Sequence, residues 1–211
     1  MVKTETYMST VNYKNLHYDF PTPPSPILKA MDLVWANPLL SEGKIRVYIN
    51  KYYRDIEDKA IRDTEEGVGV LNCKGNICYV GGIMGTFIWC ASQYQIEAKQ
   101  LAKKFKRDSV VYINRPDEFA RRLLAAAYRS GWQWSLDCGP VQYDKRSFRD
   151  RHPTEDGDDD SDFYLFQKDQ TFSDEKEYRF ALTNLSFLSV RETFLDLEMG
   201  SCADIMDILT V

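Results

Sequence analysis

Strand-like runs follow one another in this chain without a helix between each pair, and that order most restricts the fold. Residues 67–72 and 77–80 read as two strands joined by a turn at Gly75-Asn76, and Thr86-Phe87-Ile88-Trp89-Cys90-Ala91-Ser92 follows as a nearly unbroken apolar run. Such a run is expected of a central strand, buried on both faces. Further strands are predicted at 44–49, 109–113, 141–143, 162–168, 178–182 and 192–199. A doubly wound parallel sheet needs a helix between successive strands, so this order excludes it. The expected architecture is α+β. One domain over residues 1–211 has a split or strongly bent mixed or antiparallel sheet of six to eight short strands, flanked by about four helices.

The helix signals are local. Ser25-Pro26 reads as an N-cap with Pro at the first helical position, and Ile27, Met31, Val34 and Trp35 follow at helical spacing. This predicts a helix over 26–36 that ends near Asn37-Pro38. A helix or loop is expected over 51–61, a basic-faced helix over 95–106 and a strong helix over 116–129, which Gly131 stops. Residues 203–209 read as a short terminal helix. A hydrophobic content of 44% and an aromatic content of 13% suit a packed globule rather than a disordered chain. No apolar run approaches the roughly 20 residues of a membrane span. Residues 1–12 carry no apolar signal core, so a cytoplasmic protein is expected.

Charge and cysteine usage narrow the partners. The net charge of −5 comes from 27 Lys and Arg against 32 Asp and Glu. Residues 149–162, with seven acids and two arginines, account for all of it. They are expected to form a mobile acidic insert, either a solvated loop or a dock for a basic partner. Asp156, Asp158, Asp160 and Asp162 resemble a calcium loop, but Gln167 stands where the glutamate ligand belongs, so an EF-hand is rejected. The rest is neutral, which argues against nonspecific duplex binding. Five scattered cysteines read as reduced thiols. Cys73 and Cys78 have no second Cys or His pair at zinc spacing, so no metal is expected.

The segment from Phe172 to Phe180 carries the chemistry. In an extended strand Glu175, Glu177 and Arg179 share one face, and Tyr178, Phe180 and Leu182 the other. Two carboxylates and a guanidinium on one face suit a site that handles sugars or phosphates. A solvated strand face with cross-strand charge pairs is the alternative.

Several blocks resemble a family of bacterial and phage-borne proteins, the domain of unknown function numbered 2971. They are Asn37-Pro38-Leu39-Leu40, Gly43-Lys44-Ile45-Arg46, Tyr53-Arg54-x-Ile56-Glu57, Arg62-Asp63-x-x-Glu66-Gly67, Cys90-Ala91-Ser92, Val141-x-Tyr143 and Lys168-x-x-x-Phe172-x-x-Glu175-Lys176-Glu177-Tyr178-Arg179. The chain departs from that family in its acidic insert and in lacking Asn-Asp-Pro after the second strand. The order of features also resembles the ADP-ribosyltransferase fold: His17 early, Ser92 at the end of the apolar strand, and the Glu175-x-Glu177 pair late. This resemblance implies an enzyme that transfers ADP-ribose from NAD to a protein or nucleic-acid acceptor, in a toxin, defence or counter-defence role. It implies that Glu177 stabilises positive charge developing on the ribose and that Glu175 takes the acceptor's proton. His17 would contact the adenosine ribose and Ser92 would support Glu177. Tyr53, Tyr94 or Trp89 would stack on nicotinamide. Arg46 is a candidate phosphate contact, with surface ion pairing as its alternative. Ser92 could instead cap the helix at 95. A non-catalytic protein that binds a partner through the acidic insert is the competing function.

Overall fold

The computed structural model describes residues 25–55, 68–73, 76–81, 85–144, 163–185 and 192–211. The acidic insert and His17 lie outside them. The elements are β1 (Ile27–Met31), α1 (Leu33–Glu42), β2 (Lys44–Ile49), α2 (Tyr52–Asp55), β3 (Val68–Cys73), β4 (Asn76–Gly81), β5 (Thr86–Gln93), α3 (Ala98–Phe105), β6 (Ser109–Ile113), α4 (Pro116–Tyr128), β7 (Trp134–Pro140), β8 (Gln142–Asp144), β9 (Gln167–Asp169), β10 (Glu177–Asn184), β11 (Phe194–Glu198) and β12 (Met206–Thr210). The class is α+β. Eight strands form one sheet in the order β11-β2-β5-β1-β6-β12, with β10 also paired to β5 and β7 paired to β10. Every pairing in this sheet is antiparallel. Two small ribbons, β3-β4 antiparallel and β8-β9 parallel, lie apart from it. Among the described residues no helix is long and apolar enough to cross a membrane.

β5 is the axis of the sheet. One edge pairs with β10 from Thr86 to Ser92. The other edge is shared: Ser92 and Gln93 pair with β1, whereas Phe87 and Ile88 pair with β2. Trp89, Cys90 and Ala91 have no strand partner on that edge among the described residues. The sheet therefore forks along β5, and β1 and β2 diverge on either side of the gap.

One face of the sheet holds the main core. Phe87, Trp89, Tyr178, Phe180 and Leu182 pack there against Phe119, Leu123 and Ala127 of α4. Phe119 lies with its ring 5.0 Å from Trp89 and 4.9 Å from Phe180. This core occupies Trp89, so the stacking role raised for it is not available. On the opposite face Leu28 and Val110 pack against Leu101 and Ala102 of α3.

Two predicted helices are strands. Residues 27–31, expected to begin a helix, are β1, held between β5 and β6, and α1 begins only at Leu33. Two strand edges supply the backbone partners that a local helix would otherwise provide, and tertiary pairing overrides the local signal. α1 runs through Pro38 and ends at Gly43, whose left-handed backbone (φ 70°) donates to the Leu39 and Pro38 carbonyls. At the C-terminus, residues 206–210 are β12 on the edge of β6, not a helix. Five residues with apolar side chains at 206, 208 and 209 satisfy either period, and the free edge of β6 selects the strand.

Candidate functional site

β10 begins the way its sequence reads. Glu177 and Arg179 face one way, and Tyr178, Phe180 and Leu182 face the main core. The solvated-face alternative is corrected: Glu175 and Glu177 are each 4% exposed and Arg179 is 1% exposed. The segment 163–175 covers this face, because Leu165 packs on Ile88 and Ala181 and accepts Nη1 of Arg179 at 2.6 Å.

Glu175 reaches the site by a different route from the one expected. It is not on the strand. It ends a 3-10 turn over Gln170–Glu175, which starts where Asp169 accepts the Thr171 N–H at 2.8 Å. Lys176 then takes a left-handed backbone (φ 44°), and the chain re-enters the sheet at Glu177. The kink brings both carboxylates to one ammonium. Lys168 Nζ lies 2.7 Å from Glu175 Oε2 and 3.0 Å from Glu177 Oε2. Arg179 Nε donates to Glu177 Oε1 at 2.6 Å. The Glu177 N–H donates to the Tyr143 hydroxyl at 2.7 Å.

The two carboxylates are driven apart electrostatically. Burial alone would raise Glu177, but the charges of Arg179 and Lys168 outweigh it and hold the group far below the ordinary carboxylate range. Glu175 moves the other way: burial raises it, Glu177 adds to the rise, and Lys168 only partly offsets both. Cys90 directs its thiol at Glu177, and burial pushes that thiol well above its usual value, so it is not a ready nucleophile.

These groups face a cavity of about 120 Å³ at the fork of the sheet. Its wall contains Lys29 and Ala30 of β1, Tyr53 of α2, Cys90, Ala91 and Ser92 of β5, Arg107 after α3, and Lys168, Glu175, Glu177 and Arg179. A second hollow, of about 680 Å³, shares Lys29, Ala30, Tyr53 and Arg107 with it. The two hollows adjoin at those four residues. The larger hollow is walled by Trp35, Tyr48, Tyr53 and Trp89, with Arg46 and Asp196 at its far side.

The structure thus brings together Glu175, Glu177, Ser92 and Tyr53. Ser92 sits opposite Glu177 in the β5-β10 register. It lies within β5 and does not cap a helix, since α3 starts at Ala98 behind Glu97. Tyr94 is left out: it is 54% exposed and borders a separate hollow with Pro26 and Tyr112. Arg46 is outside the cavity, bound through Nε and Nη2 to Asp196 at 2.7 Å each and stacked 3.9 Å over Phe194. Lys29, Tyr143 and Lys168 carried no expected chemistry in the sequence. Lys168 opens the last resembling block, which was the one signal available for it. The chain matches no family model, no curated protein and no solved structure.

Proposed function

We propose that the protein transfers ADP-ribose from NAD to a protein or nucleic-acid acceptor, with Glu177 and Glu175 as the catalytic pair. The observation that carries this reading is the opposite displacement of two neighbouring carboxylates that face one cavity. Environments that push paired acids apart assign them different roles. Glu177, ionised at any working pH, stands as fixed negative charge where positive charge develops on the ribose. Arg179 donates to both of its oxygens and Lys168 to Oε2, and these contacts fix the carboxylate in place. Glu175, the more basic carboxylate, accepts the proton of the attacking acceptor. NAD supplies a glycosidic bond whose nicotinamide departs with the bonding electron pair. The cavity beside Glu177 is too small for a dinucleotide by itself. The adjoining hollow of about 680 Å³, bordered by the same Lys29, Ala30, Tyr53 and Arg107, supports the fit, since cofactor sites span roughly 300–1,000 Å³. Tyr53 borders both hollows, suited to stack on nicotinamide. Arg46, tied to Asp196, is not assigned to NAD.

Incubation with labelled NAD and cell extract tests the reading. The wild type should release nicotinamide and label an acceptor. Glu177→Gln should retain the fold and lower turnover by about 10². A wild type that neither releases nicotinamide nor transfers label refutes the proposal.

A further inference from the structure

The wall shared by the two hollows holds a cation that the catalytic pair does not use. Of the four cations lining the inner cavity, Lys168 and Arg179 are engaged with Glu175 and Glu177. Arg107 lines both hollows and reaches Asp32, with Nη1 2.8 Å from Oδ2. Lys29 remains. Among the described residues it forms no ion pair, and its ammonium stands 5.2 Å from the centre of the Trp89 ring. It borders both hollows, the one lined by the acidic pair and the one with the aromatic wall. A cation in such a place, with its nearest carboxylates already neutralised, leaves an excess of positive charge that an anionic ligand would balance. The wall of the larger hollow is aromatic, and Trp35 is 61% exposed within it. Aromatic faces beside a cation are the surroundings that a nucleobase and its phosphates require.

We infer that the border between the two hollows is a diphosphate site: Lys29, with Arg107 beside it, binds the diphosphate of a nucleotide whose base lies against Trp35 and Tyr48. The inference deepens the NAD reading and takes the nucleotide class from it, but the anion contact stands or falls by itself. Cys90, Glu177, Glu175 and Arg107 act on Lys29 electrostatically and the Trp89 ring lies beside it, while Arg179, Lys168 and Tyr53 line the smaller hollow with it and Asp32 the larger. Burial is the largest influence on it and lowers its pKa, Arg107 acts in the same direction, and Cys90, Glu177 and Glu175 oppose them. A bound diphosphate adds negative charge next to the ammonium and raises that pKa again. Binding should therefore take up a proton in the pH interval between the free and bound values.

Calorimetric titration of wild type, Lys29→Met and Lys29→Arg with ADP, adenosine and inorganic diphosphate tests this. ADP should bind at least about tenfold more tightly than adenosine, and inorganic diphosphate should displace it. Lys29→Met should weaken ADP by about tenfold or more, the loss expected for one charge-assisted contact, and leave adenosine unchanged. Lys29→Arg should restore most of the ADP affinity. Repeating the ADP titration in buffers of different ionisation enthalpy across the neutral-to-alkaline range should show proton uptake by the wild type and none by Lys29→Arg. ADP binding that Lys29→Met leaves unchanged overturns the inference, as does equal affinity for adenosine and ADP, or no binding of ADP or diphosphate. Lys29-dependent ADP binding without any nicotinamide release would retain the diphosphate site and refute the transferase reading. Nicotinamide release that is undiminished in Lys29→Met would do the reverse.

Discussion

Replacing Arg179 with methionine tests whether the buried charge cluster is one interdependent unit. The substitution keeps an unbranched stem in a position that is 1% exposed and removes the guanidinium. Glu177 then loses a contact at 2.6 Å and a weaker one at 3.4 Å, and the Leu165 carbonyl loses its donor at 2.6 Å. The four-charge cluster of Lys168, Arg179, Glu175 and Glu177 changes from neutral to a net of one negative charge. Lys168, 3.0 Å from Glu177, is already shared with Glu175 at 2.7 Å and cannot neutralise both. Breaking a buried pair from one side costs about 3–5 kcal/mol. For a chain of this length, each kcal/mol lowers Tm by roughly 2–4 °C, so a fall of about 6–20 °C is expected. Removing both charges in Glu177→Met/Arg179→Met should be less damaging than Arg179→Met alone, because the Lys168–Glu175 pair then remains balanced. Urea unfolding measures this as a change in Cm at constant m. A pH series adds a sign. The folded pKa of Glu177 lies below its unfolded value of 4.5, so its contribution is complete above that value and is lost as the pH falls beneath it. Arg179→Met should flatten that acid loss. A single-variant cost below about 1 kcal/mol, or additivity of the two substitutions within about 0.5 kcal/mol, would refute the reasoning.

Other substitutions probe the scaffold and the proposed chemistry. Gly43→Ala should destabilise by roughly 2–4 kcal/mol in a thermal melt, since its Cβ would overlap the Gly200 carbonyl and the backbone is left-handed at φ 70°; an unchanged Tm would contradict this. Phe119→Ala, at a fully buried position against Trp89 and Phe180, should cost about 3–5 kcal/mol in urea unfolding. Glu175→Gln should suppress transfer to the acceptor more than NAD hydrolysis, as read from label transfer against nicotinamide release. In the wild type the rate should fall as the pH drops through the raised pKa of Glu175, and Glu175→Gln should remove that acidic limb.

The α+β class, the central position of β5 and the alternation of β10 were legible from the residues. Periodicity records which side chains must leave water, and both faces of Phe87 to Ala91 are apolar. The pairing of Glu175 with Glu177 was also legible, although its cause was not. An extended strand would have placed them together, whereas a 3-10 turn and a left-handed residue at 176 bring them to Lys168 instead. No local pattern encodes that turn's burial beneath the sheet, so the choice between a solvated face and a closed cluster belonged to the tertiary structure. The same holds for the ends of the described chain. Residues 27–31 and 206–210 become strands because β5 and β6 offer unpaired edges, and backbone groups leaving water must find partners wherever an edge is free. Lys29 shows the limit most clearly. In the sequence it is one lysine in a short apolar run. Only the fork between β1 and β2 places it over Trp89 on the border of both hollows, because the spatial neighbours of a charge are set by how strands diverge and not by their order along the chain.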